Sequence, residues 1–187
     1  MGNIVETFCA APGVLISVPQ LKDPHFERSV VLMFLHTSDG ALGLVINHQT
    51  PYLAADITTM FGLDWPGTPD APLLKGGPVN PDGLWMVHDD ENLFDDSITA
   101  GQGLVTSNSP EALTRLCVTK VSPLWLGVGC AGWGAGQLES EMASGAWINA
   151  PATAEMVFEW PREEVWDRSL RSLGIDPALL MASGGLQ

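Results

Sequence analysis

Basic residues are scarce in this chain: 8 Lys plus Arg stand against 22 Asp plus Glu, a formal net charge of −14 over 187 residues. Such a field repels phosphate backbones and anionic headgroups, so charge alone argues against direct nucleic-acid binding and membrane attachment. Its simplest role is solubility. Cysteine is nearly missing. Cys9, Cys117 and Cys130 are odd in number, far apart and without C-x-x-C spacing, which excludes a zinc knuckle and a disulfide framework. Apolar surroundings such as Val128-Gly129-Cys130-Ala131 mark them as reduced thiols of a reducing compartment. Long apolar runs are lacking too: Val30 to Leu35 ends at His36, too short to span a bilayer. Met1 to Glu6 has neither the basic region nor the apolar core of a signal peptide. Glu6 stands where a myristoylation motif wants Ser or Thr. A cytoplasmic protein is expected. No G-x-x-x-x-G-K-[ST] phosphate loop and no G-x-S-x-G elbow occurs.

What is present suits a globular chain, with 45% hydrophobic and 16% charged residues. A chain of this length buries roughly 70% of its unfolded surface without a metal or disulfide, and residues 1–187 read as one domain. Ser29–His36 and Ala41–Asn47 are apolar without alternation, as in strands buried on both faces. Thr37-Ser38-Asp39-Gly40 joins them by a tight reversal, giving the central hairpin of a sheet. Further strands are predicted at Gly13–Val18, Leu84–His88, Leu104–Ser107, Leu124–Ala131 and Ala146–Asn149. One helix is predicted to open at Thr50-Pro51, turn Leu53, Ile57, Met60 and Phe61 inward, and close at Gly62. A second opens at Ser109-Pro110. The last begins near Pro161, buries Trp166, Leu170 and Leu173, and stops at Gly174. Asp64 to Pro81 carries five prolines and reads as a long irregular excursion ending in Gly76-Gly77-Pro78-Val79. The expected class is α+β, a mainly antiparallel sheet with a central hairpin, flanked by helices.

Few residues carry recognisable chemistry. Of the four histidines, His36 and His48 lie at opposite ends of the hairpin, roughly 20 Å apart at about 3.3 Å per residue, and cannot share an ion through it. His25 sits in a polar loop, and His88 ends a strand before the acidic turn Asp89-Asp90-Glu91. No metal site and no cofactor is expected. Gly127-Val128-Gly129-Cys130-Ala131-Gly132 matches G-x-G-x-x-G, but its first two glycines fall inside a strand, so close backbone packing is the better reading. Trp133-Gly134-Ala135-Gly136-Gln137 precedes a helix with Leu138 and Met142 on one face and Gln137 and Glu141 on the next. Its glycines either let Trp133 and the helix pack tightly or offer free N–H groups to a ligand. Under the packing reading, Gly134→Ala and Gly136→Ala are expected to destabilise the fold and Gln137→Ala to cost little. Ser107 and Ser17 have no His and Asp partners evident in the sequence. Among the tryptophans, Trp65 and Trp133 are the candidates for exposed anchors.

These stretches resemble the YqgE/AlgH family of small bacterial proteins. The resemblance runs through Pro19-Gln20-Leu21 with Asp23, Phe26, Arg28, Ser29 and Val30; His36; Gly43-Leu44-Val45-Ile46-Asn47; Gly76-Gly77-Pro78-Val79; His88; and Gly132 to Glu139 with Glu141 and Trp147. It implies an α+β fold of sheets flanked by helices and a family often labelled transcriptional regulators, with no catalytic residue or cofactor to carry over. Two positions depart from the pattern: Cys130 replaces an aromatic residue before Ala-Gly-Trp, and His48 replaces an Arg after the Asn. A DNA-binding domain needs a clustered basic face, whereas here Lys22 with Arg28 is the nearest approach to one.

The expectation is a non-enzymatic regulatory or interaction protein that works through a protein or small-molecule partner, without direct nucleic-acid or membrane contact. Its candidate recognition residues are Gly77, Pro78, Val79, His88, Trp133, Gly134 and Gln137. The alternative is an enzyme or nucleotide or small-ligand binder with a pocket near His88 and the Gly132–Gln137 turn. A concave pocket uniting His88, Trp133 and Gln137 favours the alternative, and an exposed apolar patch favours the interaction protein.

Overall fold

A computed structural model describes residues 8–183; the Met1–Glu6 segment read above for targeting signals lies outside the described residues. Ten strands dominate: β1 (Gly13–Ser17), β2 (Val30–Thr37), β3 (Gly40–Val45), β4 (Gln49–Leu53), β5 (Pro72–Lys75), β6 (Val79–His88), β7 (Ile98–Gly101), β8 (Leu104–Ser107), β9 (Trp125–Gly134) and β10 (Trp147–Ala150). The helices are short: α1 (Ala54–Met60), α2 (Pro110–Val118), α3 (Gln137–Ala143), α4 (Val165–Ser172) and α5 (Pro177–Ser183). The main path runs β10-β1-β2-β3-β9-β6-β8-β7, and β4 and β5 form a side arm. All pairings are antiparallel except β5 with β9. The sheet curls so far that β7 comes back against β2. The architecture is therefore α+β with the sheet predominant.

The predicted hairpin is β2–β3, closed by a tight turn in which Thr37 faces Gly40. Both faces of β1 and of β2 as far as Phe34 are covered, which explains their unbroken apolar sequence. Val14, Ile16, Val30, Leu32 and Phe34 enter a core with Trp125, Val157, Trp166 and Leu170, while Leu15, Val31 and Met33 pack with Trp133, Leu138 and Trp147 under α3. A third cluster, including Leu73, Met86, Leu113, Leu116 and Leu126, lies beneath α1 and α2.

Strand β9 changes neighbours partway along. Gly127 and Val128 pair with β5, whereas Ala131 to Gly134 pair with β3. The changeover is made by backbone packed on backbone. The Gly76 N–H donates to the Val128 carbonyl at 2.8 Å, and the Gly76 carbonyl accepts from Val45 at 2.8 Å. Gly129 takes a left-handed φ of +70°, and a Cβ there would collide with the Gly77 carbonyl. The G-x-G-x-x-G match is thus a strand interior, as the packing reading expects.

Several expectations are corrected. Thr50-Pro51 lies in β4, an edge strand that tolerates Pro because one side of its backbone is unpaired. Helix α1 starts afterwards and buries Ala54 and Thr58, leaving Leu53, Met60 and Phe61 exposed. Gly62 does close it, with φ +71°. Leu173 is exposed rather than buried, and α5 follows the helix expected to be last. The proline-rich excursion contains β5, and β7 was not anticipated.

Candidate functional site

The Trp133–Gln137 turn is built around one carboxylate. The Glu141 Oε2 atom accepts the indole N–H of Trp133 at 2.9 Å and that of Trp147 at 2.8 Å. Its Oε1 accepts from the Gln137 amide at 2.9 Å, and Gln137 Oε1 in turn accepts the Gly134 N–H at 3.0 Å. Phe26 stacks on Trp133 and meets Trp147 edge-on, and both indoles are buried. Gln137 is a structural link here, bridging the strand end to α3, and Trp133 is a core residue. The glycines are not the tight contacts. A Cβ on Gly134 would meet nothing closer than Gln137 Oε1 at 3.9 Å, and one on Gly136 nothing within 4 Å, although its φ of +73° favours glycine.

His88 belongs to another part of the molecule. Its Nδ1–H donates to the Asp89 carbonyl at 2.8 Å, which leaves Nε2 to accept the Ser107 hydroxyl at 3.2 Å. Ser97 Oγ continues the chain 3.1 Å from Ser107 Oγ and accepts the Phe94 N–H at 2.9 Å. A histidine paired with a serine is the geometry of an activated nucleophile. Here His88 is 0% and Ser107 1% exposed, and neither lines a cleft described below. Burial pushes the imidazole below its ordinary pKa, opposed by the Asp89 hydrogen bond, so the ring is neutral near pH 7. The arrangement is a satisfied buried polar cluster.

The sequence-predicted residues do not converge. Val87 pairs with Trp125, and Trp133 lies eight residues further along β9, roughly 26 Å of strand at about 3.3 Å per residue. Gly77 is buried against Cys130, while Pro78 and Val79 are exposed. Val79 approaches Gly132, which alternates with Trp133 along β9 and so faces the other way. Among the described residues, His88 therefore lies at one end of the β6–β9 pairing and Trp133 and Gln137 at the other.

A different surface has the open geometry. On the β4–α1 arm, Tyr52 is 59%, Met60 80% and Phe61 60% exposed. Beside them a mostly apolar cleft of about 230 Å³ is lined by Phe61, Leu63, Leu84, Met86 and Leu113, with Asp82 also contributing. Sequence periodicity placed Met60 and Phe61 inside, so this surface was missed. The exposed, non-alternating β4 that precedes them gave no signal of an edge arm. Among the described residues, no group of three or more His, Cys, Asp or Glu could hold a metal ion, and no helix is long and apolar enough to cross a membrane. The three cysteines are unpaired, and burial raises the pKa of the Cys117 and Cys130 thiols.

A family model described as AlgH-like matches residues 14–178. A UPF0301 protein of Anaeromyxobacter dehalogenans is 38% identical over 186 residues, covering 94% of this chain and 93% of that one. A UPF0301 protein of Xanthomonas oryzae pv. oryzae is 36% identical over 169 residues, covering 87% and 88%. Among solved structures, the solution structure of AlgH from Pseudomonas aeruginosa superposes with TM-score 0.73 at 28% identity, covering 100% of both chains. The crystal structure of protein DIP2367 from Corynebacterium diphtheriae gives 0.76 at 25% identity, covering 93% and 92%.

Proposed function

The chain belongs to the AlgH-like family, and from that premise we propose that it is a non-enzymatic interaction protein of regulatory type, acting in the cytoplasm through a protein partner. The observation that carries this reading is the apolar surface of the β4–α1 arm, where Met60 and Phe61 stand out beside an open cleft. Large side chains left that exposed lose the hydrophobic stabilisation of burial, about 1.5–3 kcal/mol each, which a docking partner would recover. Asp82 and the surrounding negative field suit a partner that presents an apolar side chain flanked by basic groups.

An enzymatic role finds less support, because the serine–histidine pair is sealed and Gln137 is spent on the fold. Direct DNA binding is opposed by the net charge of −14, so any effect on transcription would pass through the partner. Site-specific photo-cross-linking in living cells tests the proposal. A photoreactive residue at Phe61 should give a discrete adduct that one at Asp39, in the exposed hairpin turn, does not. Adducts at neither position, or equally at both, would overturn it.

A further inference from the structure

A second cavity, of about 270 Å³, lies between the end of β3 and the start of α4 and shares no lining residue with the cleft beside Phe61. Arg28, Asn47, His48, Arg162 and Trp166 line it, with the carboxylates of Glu163 and Asp167. Two of the chain's eight basic residues meet here and offset the two carboxylates, in a protein whose net charge is −14. Their placement is specific. Asn47 Oδ1 accepts the Val30 N–H at 2.8 Å, and its amide donates to the Arg28 carbonyl at 2.8 Å. That clamp holds Arg28 at φ +49°, a conformation costly for a non-glycine residue, with its guanidinium 4.8 Å from the centre of the Trp166 ring. Trp166 is itself pinned, donating its indole N–H to the Ser17 carbonyl at 2.8 Å.

Arg162 is half-buried, yet among the described residues its hydrogen bonds go only to carbonyl oxygens, Val157 at 2.5 Å and Ile46 at 3.3 Å, both from Nη1. Among the described residues, no carboxylate lies within 4.0 Å of it. Taking a cation out of water without a counter-charge is expensive, and burial pushes this guanidinium down to about 10. Asp167 pairs with Arg28 at 3.8 Å, but both side chains are about half exposed, and such a pair is weak and exchangeable. His48 directs Nε2 to the Glu27 carbonyl at 3.2 Å, and Nδ1 has no hydrogen bond among the described residues.

We propose that this cavity is a binding site for a small soluble phosphate-bearing molecule, held between the guanidinium groups of Arg28 and Arg162. Two planar N–H forks match the oxygens of a phosphate better than a single carboxylate does. The cavity leaves room for a small organic portion beside the phosphate. An anionic bilayer would bring many further negative charges against a chain of net charge −14, whereas a small soluble phosphate brings only its own.

Titrating the full chain with inorganic phosphate, followed by amide and indole NMR shifts against chloride of matched ionic strength, tests this. Saturable shifts at His48 and the Trp166 indole are expected, weakened at least tenfold in Arg28→Gln and in Arg162→Lys. Should Arg162→Lys melt early, the exposed Arg28→Gln decides the matter. Phe61→Ser should bind phosphate like the parent chain, which separates this site from the interaction surface. Shifts no larger than in chloride, or undiminished in Arg28→Gln, would overturn the proposal, as would saturable shifts in anionic phospholipid vesicles with none in free phosphate.

Discussion

Removing the Glu141 carboxylate tests what holds the Trp133–Gln137 turn against α3. In Glu141→Ala the indole N–H groups of Trp133 and Trp147 lose their common acceptor inside a cluster where both rings are buried. An orphaned buried donor costs about 1–3 kcal/mol, and bonds to a charged acceptor lie toward the upper end. The substitution should therefore cost ~3–5 kcal/mol. Glu141→Gln should cost less, ~1–2 kcal/mol, because its carbonyl can still accept both indoles. Its amide would, however, face the Gln137 amide donor, and Gln137 can turn over only by giving up Gly134. Gln137→Ala removes two exposed hydrogen bonds and should cost ~0.5–1.5 kcal/mol. Urea unfolding followed by far-ultraviolet circular dichroism measures all three, with an unchanged slope confirming that stability alone has moved. If Glu141→Ala falls within 1 kcal/mol of the parent while Gln137→Ala is as damaging, the carboxylate does not hold the two indoles.

Gly129→Ala should destabilise by more than ~2 kcal/mol, since its Cβ would strike the Gly77 carbonyl, whereas Gly134→Ala should stay within ~1 kcal/mol; thermal melts of the two distinguish them. Burial lowers the folded-state pKa of both His88 and His48, so below about 6.5 the unfolded chain binds more protons and stability falls as pH falls. Urea midpoints taken between pH 7.5 and 5.5 should drop accordingly, with a shallower slope in His88→Gln; a flat profile would contradict the lowered pKa of the two imidazoles. No binding to duplex DNA is expected at physiological salt, and micromolar affinity with a steep salt dependence in a fluorescence titration would refute this.

The parts of the fold legible in the sequence were those where one local signal had one meaning. The apolar runs flanking Asp39-Gly40 specified the β2–β3 hairpin, and Ser109-Pro110 marked α2, whose Ser109 side chain accepts the Ala112 N–H. Thr50-Pro51 misled because proline at a helix start and proline on an edge strand look alike before the pairing is known. Strand β5, four residues entered from Pro72, has too short a pattern to stand out, and its parallel partner β9 lies some fifty residues away. The candidate site was less legible. The four-residue spacing puts Gln137 and Glu141 on one helix face, but only the tertiary fold brings two indoles to the same carboxylate. His88 needed Ser107 from a separate strand to be satisfied in the core. Met60 and Phe61 fit a buried helical stripe by spacing, and the fold leaves that stripe without a cover.

The interaction surface is tested most directly by affinity for the partner captured at Phe61, measured for the parent chain and for Met60→Ser/Phe61→Ser with melts in parallel. Burying the two side chains is worth about 3–6 kcal/mol, tempered by what a partner actually covers, so binding should weaken by roughly a hundredfold or more. Because both residues are exposed, the melting temperature should stay near that of the parent. Equal affinities for the two proteins would contradict the account, as would a loss of binding that merely follows a loss of fold.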